Sequence, residues 1–314
     1  MNDLKLIFFG TPQFAVDSLH EINLNYKVNC VVTSPDRKSG RGQKITQSEV
    51  KIYAKKNNIK ILQPDNLKDK EFINKIIEIN PDIIIVVAFR KIPAEIFSIP
   101  KHGTINLHAS LLPNYRGAAP INWCLINNEV KTGVTTFFIN EKIDQGDILL
   151  KEEVNISDKD NFGSLYNKLS SIGSRLLITT IKGVLSNSLK ASKQDFNESF
   201  KIAPKLSKEN TRIDWNKSQK EIIGMIRGLS PKPGAWTILK NGDNEMRMKI
   251  LEANRASSFN SKKIGKFIID NGEIHINSGV DSINCTYIQL ENRKVMSAKE
   301  LINGLKIHEN SYVY

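Results

Sequence analysis

The segment Asp82–Ala88 reads DIIIVVA and restricts the fold more than any other feature of the chain. β-Branched side chains on both faces of a strand indicate that both faces are covered, as they are in the centre of a parallel sheet. Around this segment, the first half of the chain alternates strand-length and helix-length stretches. Strands are predicted over Lys5–Gly10, Val28–Thr33, Ile59–Leu62, Asp82–Ala88 and Gly103–His108, and helices over Pro12–Asn23, Glu49–Asn57, Asp69–Asn80 and Asn161–Gly183. This alternation predicts a doubly wound, Rossmann-like α/β sheet.

The pattern changes near residue 190, where residues 190–207 are polar and without a clear period. One helix is predicted after them, over Gln219–Gly228, and five strands, over Ala235–Leu239, Met246–Glu252, Ile264–Asp270, Glu273–Asn277 and Asn284–Leu290. Asn-Gly pairs at 241–242 and 271–272 are strong hairpin signals. We predict an α/β domain over residues 1–189, a linker over 190–207, and a small OB-like β-barrel over 208–314, a fold that often binds nucleic acid.

Charge and cysteine content narrow the partners and the compartment. The formal net charge is +12, with the larger share of the surplus after residue 190. This charge suits a polyanion such as nucleic acid, but a lysine-rich solvated surface fits it equally well. The three cysteines are far apart, which argues against a disulfide framework and a structural zinc site. We therefore expect no metal. We also expect a cytoplasmic protein, because no stretch has the roughly 20 apolar residues of a membrane span and the N-terminal apolar segment is shorter than a signal peptide needs.

The candidate chemistry lies in HGTINLHASLLPNYRG, residues 102–117, at the end of a predicted parallel strand. Asn106 and His108 are two residues apart, so both point to one face, and ligands of open α/β sheets bind beyond the carboxyl ends of strands. Asp144, on a loop over residues 141–147, could reach His108. An isolated Asn-x-His is more often structural. With Asp144, however, the amide could stabilise an oxyanion and the imidazole could move a proton, a set suited to acyl transfer. Without a GxSxG motif, direct attack by an amine is favoured over a covalent intermediate.

These motifs resemble the folate-dependent formyltransferases, and among them the branch that acts on methionyl-tRNA. The resemblance covers nearly the whole chain and rests on FFGTPQFAV at 8–16, SPDRKSGRGQK at 34–44, HASLLPNYRGAAPIN at 108–122, APKLSKENTRIDW at 203–215 and IRGLSPKPGAW at 226–236. It implies transfer of a formyl group from 10-formyltetrahydrofolate to the amino group of methionyl-initiator tRNA, for translation initiation.

The resemblance also implies roles for individual residues. Asn106, His108 and Asp144 look like the catalytic residues of the family. The folate would be contacted by the turn Ser110, Leu111, Leu112 and Pro113, and by the loop containing Val87, Ala88, Phe89, Arg90 and Ile92. One departure concerns this loop, because the family often has Tyr-Gly where this chain has Phe89-Arg90.

Basic residues are the candidate tRNA contacts. Two glycines and four basic residues follow the second predicted strand, in a loop that resembles the one with which the family enters the tRNA acceptor stem. We expect contacts from Arg41, and also from Arg37, Lys38 and Lys44. Lys205 belongs to a second basic set flanking the domain junction, with Lys201, Lys208, Arg212, Lys217, Lys220, Arg227 and Lys232.

Other functions stay open at this point. A relative that formylates a small amine, such as glycinamide ribonucleotide or an amino sugar, would use the same three residues but not the basic loop. A nucleic-acid-binding protein that has lost catalysis would not need Asn106, His108 and Asp144. A nicotinamide dehydrogenase is disfavoured, because only Gly10 follows the first strand and no acidic residue closes the second. We expect a monomer.

Overall fold

Strands and helices alternate through the first half of the chain, and strands dominate the second. The computed structural model describes residues 4–39, 44–195, 200–257, 263–279 and 281–314. The elements up to α6 are β1 (Leu6–Gly10), α1 (Gln13–Asn25), β2 (Val28–Val32), β3 (Arg37–Ser39), β4 (Lys44–Thr46), α2 (Glu49–Lys56), β5 (Lys60–Leu62), α3 (Lys70–Ile79), β6 (Ile83–Val87), α4 (Ala94–Phe97), β7 (Thr104–His108), β8 (Arg116–Gly117), α5 (Pro120–Ile126), β9 (Lys131–Phe138), β10 (Ile148–Asn155) and α6 (Phe162–Leu185). They are followed by β11 (Ile202–Ala203), α7 (Gln219–Leu229), β12 (Ala235–Asn241), β13 (Asn244–Ala256), β14 (Phe267–Asp270), β15 (Glu273–Asn277), β16 (Ser282–Leu290), β17 (Val295–Ser297), α8 (Ala298–Gly304) and β18 (Tyr312–Val313).

The first compact unit is built on a seven-stranded sheet and comprises Met1–Gly117, Lys131–Asn155 and Tyr166–Ile202. The strand order is β10-β9-β7-β6-β1-β2-β5. The five strands from β5 to β7 are parallel, whereas β9 and β10 are antiparallel to their neighbours. The predicted α/β class with a parallel core is therefore confirmed, and two antiparallel strands extend the sheet at one edge.

Residue choice explains why β1 and β6 occupy the centre of this sheet. All five residues of each strand are buried, as expected where helices cover both faces. On one face, alternate residues such as Phe9 and Val86 share a cluster with Phe72 and Ile76 of α3. Asp69 caps α3 by accepting a hydrogen bond from the Glu71 N–H at 3.0 Å.

The second compact unit contains an antiparallel β-barrel and comprises Ala118–Val130, Ile156–Leu165 and Ala203–Tyr314. Its strand order is β14-β15-β16-β13-β12-β18, with β17 paired to β16. A bridge between Lys266 and Tyr312 joins the two ends of this order, which nearly closes the barrel. Both predicted hairpins are present: Asn271-Gly272 is the loop between β14 and β15, and Asn241 ends β12 so that residues 242–243 form the loop to β13. The predicted barrel is confirmed.

Helices α5 and α7 pack together within the second unit because two glycines of α7 leave room. A Cβ at Gly228 would lie 2.6 Å from the Ile126 side chain, and a Cβ at Gly224 would lie 2.5 Å from the Asn128 amide. The Asn122 amide donates to the Gly228 carbonyl at 2.8 Å. Glycine thus permits a backbone approach that any larger residue would block.

Several short elements were missed by the sequence patterns. The basic stretch after β2 contains a short hairpin, β3–β4, where a loop was predicted. In the predicted linker, Ser192 forms an antiparallel bridge with Ile148, and Gln194 is buried in the first unit.

Residues 118–130 and 156–165 group with the second unit by compactness, whereas the sequence placed them in the first domain. The proposed boundary at 190–207 stays a prediction.

None of the helices in the described part of the chain is long and apolar enough to cross a membrane. Within the same residues, no three His, Cys, Asp or Glu side chains lie close enough together to hold a metal ion.

Candidate active site

Three parallel strands of the first unit end at the same edge of the sheet. Gly10 at the end of β1 pairs with Val87 at the end of β6, and Val87 pairs with Leu107 near the end of β7. The segments after these strands therefore emerge side by side, at the carboxyl edge where ligands of open α/β sheets bind. They include residues 109–113, which follow Asn106 and His108 of β7, and the loop after Val87.

Asn106 and His108 lie on one face of β7, as their spacing predicts. Leu107 points the opposite way, since a Cβ at Gly173 of α6 would lie 2.8 Å from the Leu107 side chain. The Asn106 side chain is half-buried, and no described residue forms a hydrogen bond with its amide. This amide is therefore available to a ligand. His108, in contrast, is 6% exposed and is held by contacts with other residues of the protein.

Hydrogen bonding fixes the role of each His108 nitrogen. Nε2 lies 2.8 Å from the Tyr115 carbonyl oxygen. Because a carbonyl oxygen only accepts, Nε2 carries a proton, and in the neutral ring Nδ1 carries the lone pair. Asp144 Oδ2 lies 3.8 Å from Nδ1. The structure thus brings His108 and Asp144 together, and a proton taken up at Nδ1 would place positive charge beside a carboxylate.

Asp144 is held in an unusual backbone conformation by its neighbours. Its φ is 53°, in the left-handed region, which costs a non-glycine residue about 1 kcal/mol or more. Oδ2 accepts a hydrogen bond from the Gly117 N–H at 2.9 Å. The Asp144 carbonyl accepts one from Arg116 Nε at 3.0 Å and one from Gln194 Nε2 at 2.9 Å. Burial lowers the pKa of Arg116, and the Asp144 carboxylate opposes this effect.

Gln194 is the residue of this site that the sequence did not reveal. It lies in the stretch predicted to be a linker, 50 residues beyond Asp144. A lone glutamine in a polar segment carries no periodic signal, so only the tertiary structure connects it with the Asp144 loop.

The turn Ser110–Pro113 is held by hydrogen bonds from the antiparallel strands. Thr135 Oγ1 donates to the Ser110 carbonyl at 2.7 Å and accepts from the Leu112 N–H at 3.2 Å. The Lys151 ammonium donates to the Leu112 carbonyl at 2.5 Å, and burial lowers the pKa of Lys151. Leu112 is buried against Phe137 and Ile148, whereas Leu111 and Pro113 remain half-buried. The last two side chains are therefore the apolar parts of this turn that a ligand could reach.

The loop after β6 brings the predicted folate residues to the same edge. Val87 and Ile92 are buried, and Ala88 is exposed with φ 47°. The Phe89 ring packs edge-on against Phe9, with ring centroids 5.4 Å apart. Arg90 donates to the carbonyls of Asp65 and Pro64. Burial, followed by the charge of Arg37, lowers the pKa of Arg90. Arg90 thus ties this loop to the turn after β5.

The predicted tRNA residues lie in different environments. Arg37 and Lys38 are exposed on β3, and Lys205 is exposed in the second unit. Arg41 lies outside the described residues, and so does the side chain of Lys44.

Within the wider basic set of the second unit, several side chains have partners in the same unit, among them Lys208 and Arg212, whose charged groups lie over the Trp236 ring. Arg227 donates to the carbonyls of Asp160 and Ser157, at 2.8 and 2.7 Å, and burial lowers its pKa. Lys217 lies 3.4 Å from Glu221. These contacts make Arg227 a structural residue rather than part of a free basic surface.

Comparison with known proteins identifies the class. A family model described as "Formyl transferase" matches residues 4–181, and one described as "Formyl transferase, C-terminal domain" matches residues 205–306. The chain therefore belongs to the formyl transferase family, which confirms the resemblance found in its motifs. A methionyl-tRNA formyltransferase of Flavobacterium johnsoniae is 46% identical over 315 residues, which cover 100% of both chains.

Solved structures share the fold at lower identity. An N-formyltransferase from Helicobacter canadensis, in complex with folinic acid and dTDP-3-aminofucose, has a TM-score of 0.64 at 23% identity, covering 90% of this chain and 98% of that one. HypX from Aquifex aeolicus, in complex with tetrahydrofolic acid, has a TM-score of 0.64 at 16% identity and is matched over 98% of this chain and 49% of its own length. At these identities the likeness concerns the fold.

Proposed function

We propose that this protein transfers the formyl group of 10-formyltetrahydrofolate to the α-amino group of methionyl-initiator tRNA. The observation that carries the proposal is the pairing of His108 and Asp144 beside the available amide of Asn106, in a chain that matches a methionyl-tRNA formyltransferase along its entire length. The product, N-formylmethionyl-tRNA, serves translation initiation, so we place the enzyme in the cytoplasm.

Asn106, His108 and Asp144 each have a different role in a direct acyl transfer. The methionyl nitrogen attacks the formyl carbon and forms a new C–N bond, and the bond from that carbon to the folate nitrogen then breaks. The Asn106 amide donates to the oxyanion of the tetrahedral intermediate. His108 takes a proton from the attacking amine at Nδ1 and then gives it to the leaving folate nitrogen, so the ring returns to its neutral form. Asp144, 3.8 Å away, attracts the positive charge on the ring.

Folate is the donor that the apolar edge of the site would accept. We propose that it lies between the loop after β6 and the turn 110–113, with contacts from Val87, Ala88, Phe89, Arg90, Ile92, Ser110, Leu111, Leu112 and Pro113. Phe89, Leu111 and Pro113 offer half-buried apolar surface to a planar ring. No step of this reaction needs a metal.

The tRNA is the acceptor that the charge would attract. We propose contacts from Arg37, Lys38, Arg41 and Lys44 on the hairpin segment after β2, and from Lys205 in the second unit. The net charge of +12 supports a polyanionic partner. We propose that the protein acts as a monomer.

The test is formyl transfer from 10-formyltetrahydrofolate to charged initiator tRNA. Free methionine, glycinamide ribonucleotide and a nucleotide-linked amino sugar are run beside it as alternative acceptors. We expect turnover with the charged tRNA alone. Turnover only with a small amine would keep the chemistry and overturn the acceptor, and failure to bind any folate would overturn the enzyme assignment.

A further inference from the structure

We infer that Gln194, together with Arg116, is a positioning residue that holds the Asp144 carboxylate against His108. The inference rests on the proposed function for its kinetic consequence, but its structural basis is independent of substrate. It assigns a part in the reaction to a segment, residues 190–195, that the sequence marks only as polar.

The backbone of Asp144 needs support from its neighbours. In the left-handed region, with φ 53°, aspartate is not at its conformational minimum. A loop residue in such a state keeps it only when its surroundings impose it. If φ relaxed, the direction of the side chain would change, and the contacts of Oδ2 with His108 Nδ1 at 3.8 Å and with the Gly117 N–H at 2.9 Å would be lost.

Gln194 uses the whole of its side-chain amide in hydrogen bonds. Nε2 donates to the Asp144 carbonyl at 2.9 Å and to the Gly146 carbonyl at 2.8 Å. Oε1 accepts from Arg116 Nη2. One amide thus joins two carbonyls of the loop to a guanidinium, and only this orientation works, because a flipped amide would face both carbonyls with its oxygen.

Both supporting side chains are buried. Gln194 is 5% exposed and Arg116 is 6% exposed, so water does not readily replace the bonds they make. Arg116 supplies a second donor to the Asp144 carbonyl through Nε, at 3.0 Å. The loop also has little freedom to move inwards, since a Cβ at Gly146 would lie 1.6 Å from the Phe138 carbonyl oxygen.

The partners of residue 194 require the amide of glutamine. Glutamate has the same shape, but its carboxylate would present oxygen to two carbonyl oxygens. Methionine has a similar length and makes none of the bonds. Gln194→Met therefore removes the hydrogen bonds while keeping most of the volume, and Gln194→Glu tests the donors specifically.

The kinetic experiment compares Gln194→Met, Gln194→Glu and the wild-type enzyme in formyl transfer to charged initiator tRNA. We expect kcat to fall by about 10- to 100-fold in both variants, because a small displacement of a catalytic group is enough for such a loss. KM for the formyl donor should change little. The matched control is Ser192→Ala, an exposed residue on the same segment whose hydroxyl only contacts the Ile148 carbonyl, at 3.5 Å.

A double-mutant comparison separates positioning from general loss of structure. In an Asp144→Asn background, Gln194→Met should lower kcat by less than about twofold, since the group it positions is already impaired. A full additional loss in that background, or unchanged kcat in the single variants, would overturn the inference.

A second readout does not depend on turnover. Hydrogen exchange of peptides covering residues 141–147 and of the Gly117 amide should be faster in Gln194→Met than in the wild type, while Ser192→Ala matches the wild type. Unchanged exchange overturns the inference even if the wild-type enzyme formylates nothing. An inactive wild-type enzyme with faster exchange in the variant contradicts the proposed function and leaves the positioning of Asp144 supported.

Discussion

At the scale of the residue, one hydrogen bond decides what His108 can do. Because Nε2 donates to the Tyr115 carbonyl, Nδ1 is the nitrogen of the neutral ring that can accept a proton, and it lies 3.8 Å from Asp144 Oδ2. The ring is also 6% exposed, so its orientation is set by the protein before any substrate arrives. Such preorganisation lets a side chain act without first being reoriented.

Replacing this side chain should separate chemistry from binding. We expect His108→Ala to lower kcat by about 10²- to 10⁴-fold, the usual contribution of a proton-transferring group. Folate affinity, measured by calorimetry, should stay close to that of the wild type. The control is His102→Ala, two residues before the same strand. Normal turnover by His108→Ala would contradict the proposed mechanism.

The sequence predicted the residues of the site that belong to one strand or follow directly from it. Asn106 and His108 are two apart on β7, and period-two geometry places them together without further information. The contact of His108 with Asp144 could be suggested because Asp144 lies in a loop between two strands. Gln194 could not be predicted, since its role depends on a long-range contact that no local pattern records.

At the scale of the element, two glycines have open space where a Cβ would lie. Substitutions at these positions therefore test backbone strain without steric crowding. Nothing lies within 4 Å of a Cβ at either Gly272 or Gly304. Gly272, however, has φ 78° in the turn between β14 and β15, whereas Gly304 ends α8 without a positive φ. Both belong to the second unit, so they form a matched pair.

Alanine should therefore have opposite effects at the two positions. Gly272→Ala should destabilise the second unit by about 1 kcal/mol, because an L-residue is strained in the left-handed region. Gly304→Ala should stabilise it by about 0.5 kcal/mol, by reducing the freedom of the unfolded chain. Urea unfolding of the two variants measures both values, and an equal effect of the two changes would contradict this explanation.

The N-terminus of α7 should respond to pH through its capping box. The Glu221 carboxylate accepts from the Ser218 Oγ–H and the Ser218 N–H, and these bonds hold the pKa of Glu221 below its ordinary value of 4.5. A lowered carboxyl pKa contributes stability that is present above pH 4.5 and is lost as pH falls through the folded-state value. Glu221→Gln should thus lower the thermal midpoint at neutral pH, and the difference from the wild type should shrink in acid. A difference that grows in acid would contradict this assignment.

The elements missed by the sequence analysis were mostly short ones. Helix α8 has seven residues, and its capping box of Ser297 and Glu300 was a readable signal, but the helix is too short for a clear period. The two-residue strand β18 has no signal of its own, because its pairing with β12 depends on barrel closure. In contrast, the β-branched run of β6 was predictable because each of its residues faces the core.

At the scale of the whole molecule, the net charge determines how tRNA binding should respond to salt concentration. A protein with a net charge of +12 that neutralises phosphates releases the counterions condensed on the nucleic acid. The logarithm of the affinity for tRNA should therefore fall linearly with the logarithm of the salt concentration. The slope reports how many basic residues make these contacts.

Removing one contact should change that slope. We expect Lys205→Gln to reduce its magnitude by about 1 when tRNA binding is titrated at several salt concentrations. Lys75→Gln is the control, because Lys75 Nζ is 2.6 Å from Glu71 and its pKa is raised by that hydrogen bond. An unchanged slope for Lys205→Gln would remove Lys205 from the contact surface.

The interleaving of the two compact units has a consequence for how such a protein can be divided. Helix α5 belongs to the second unit, yet it lies in the chain between stretches of the first. Excision at residue 207 would leave the Gly224 and Gly228 face of α7 bare, since Ile126 and Asn122 would be left behind. A single cut in the chain therefore does not release the complete second unit. Recombination between relatives would preserve it only if residues 118–130 and 156–165 were exchanged along with residues 203–314.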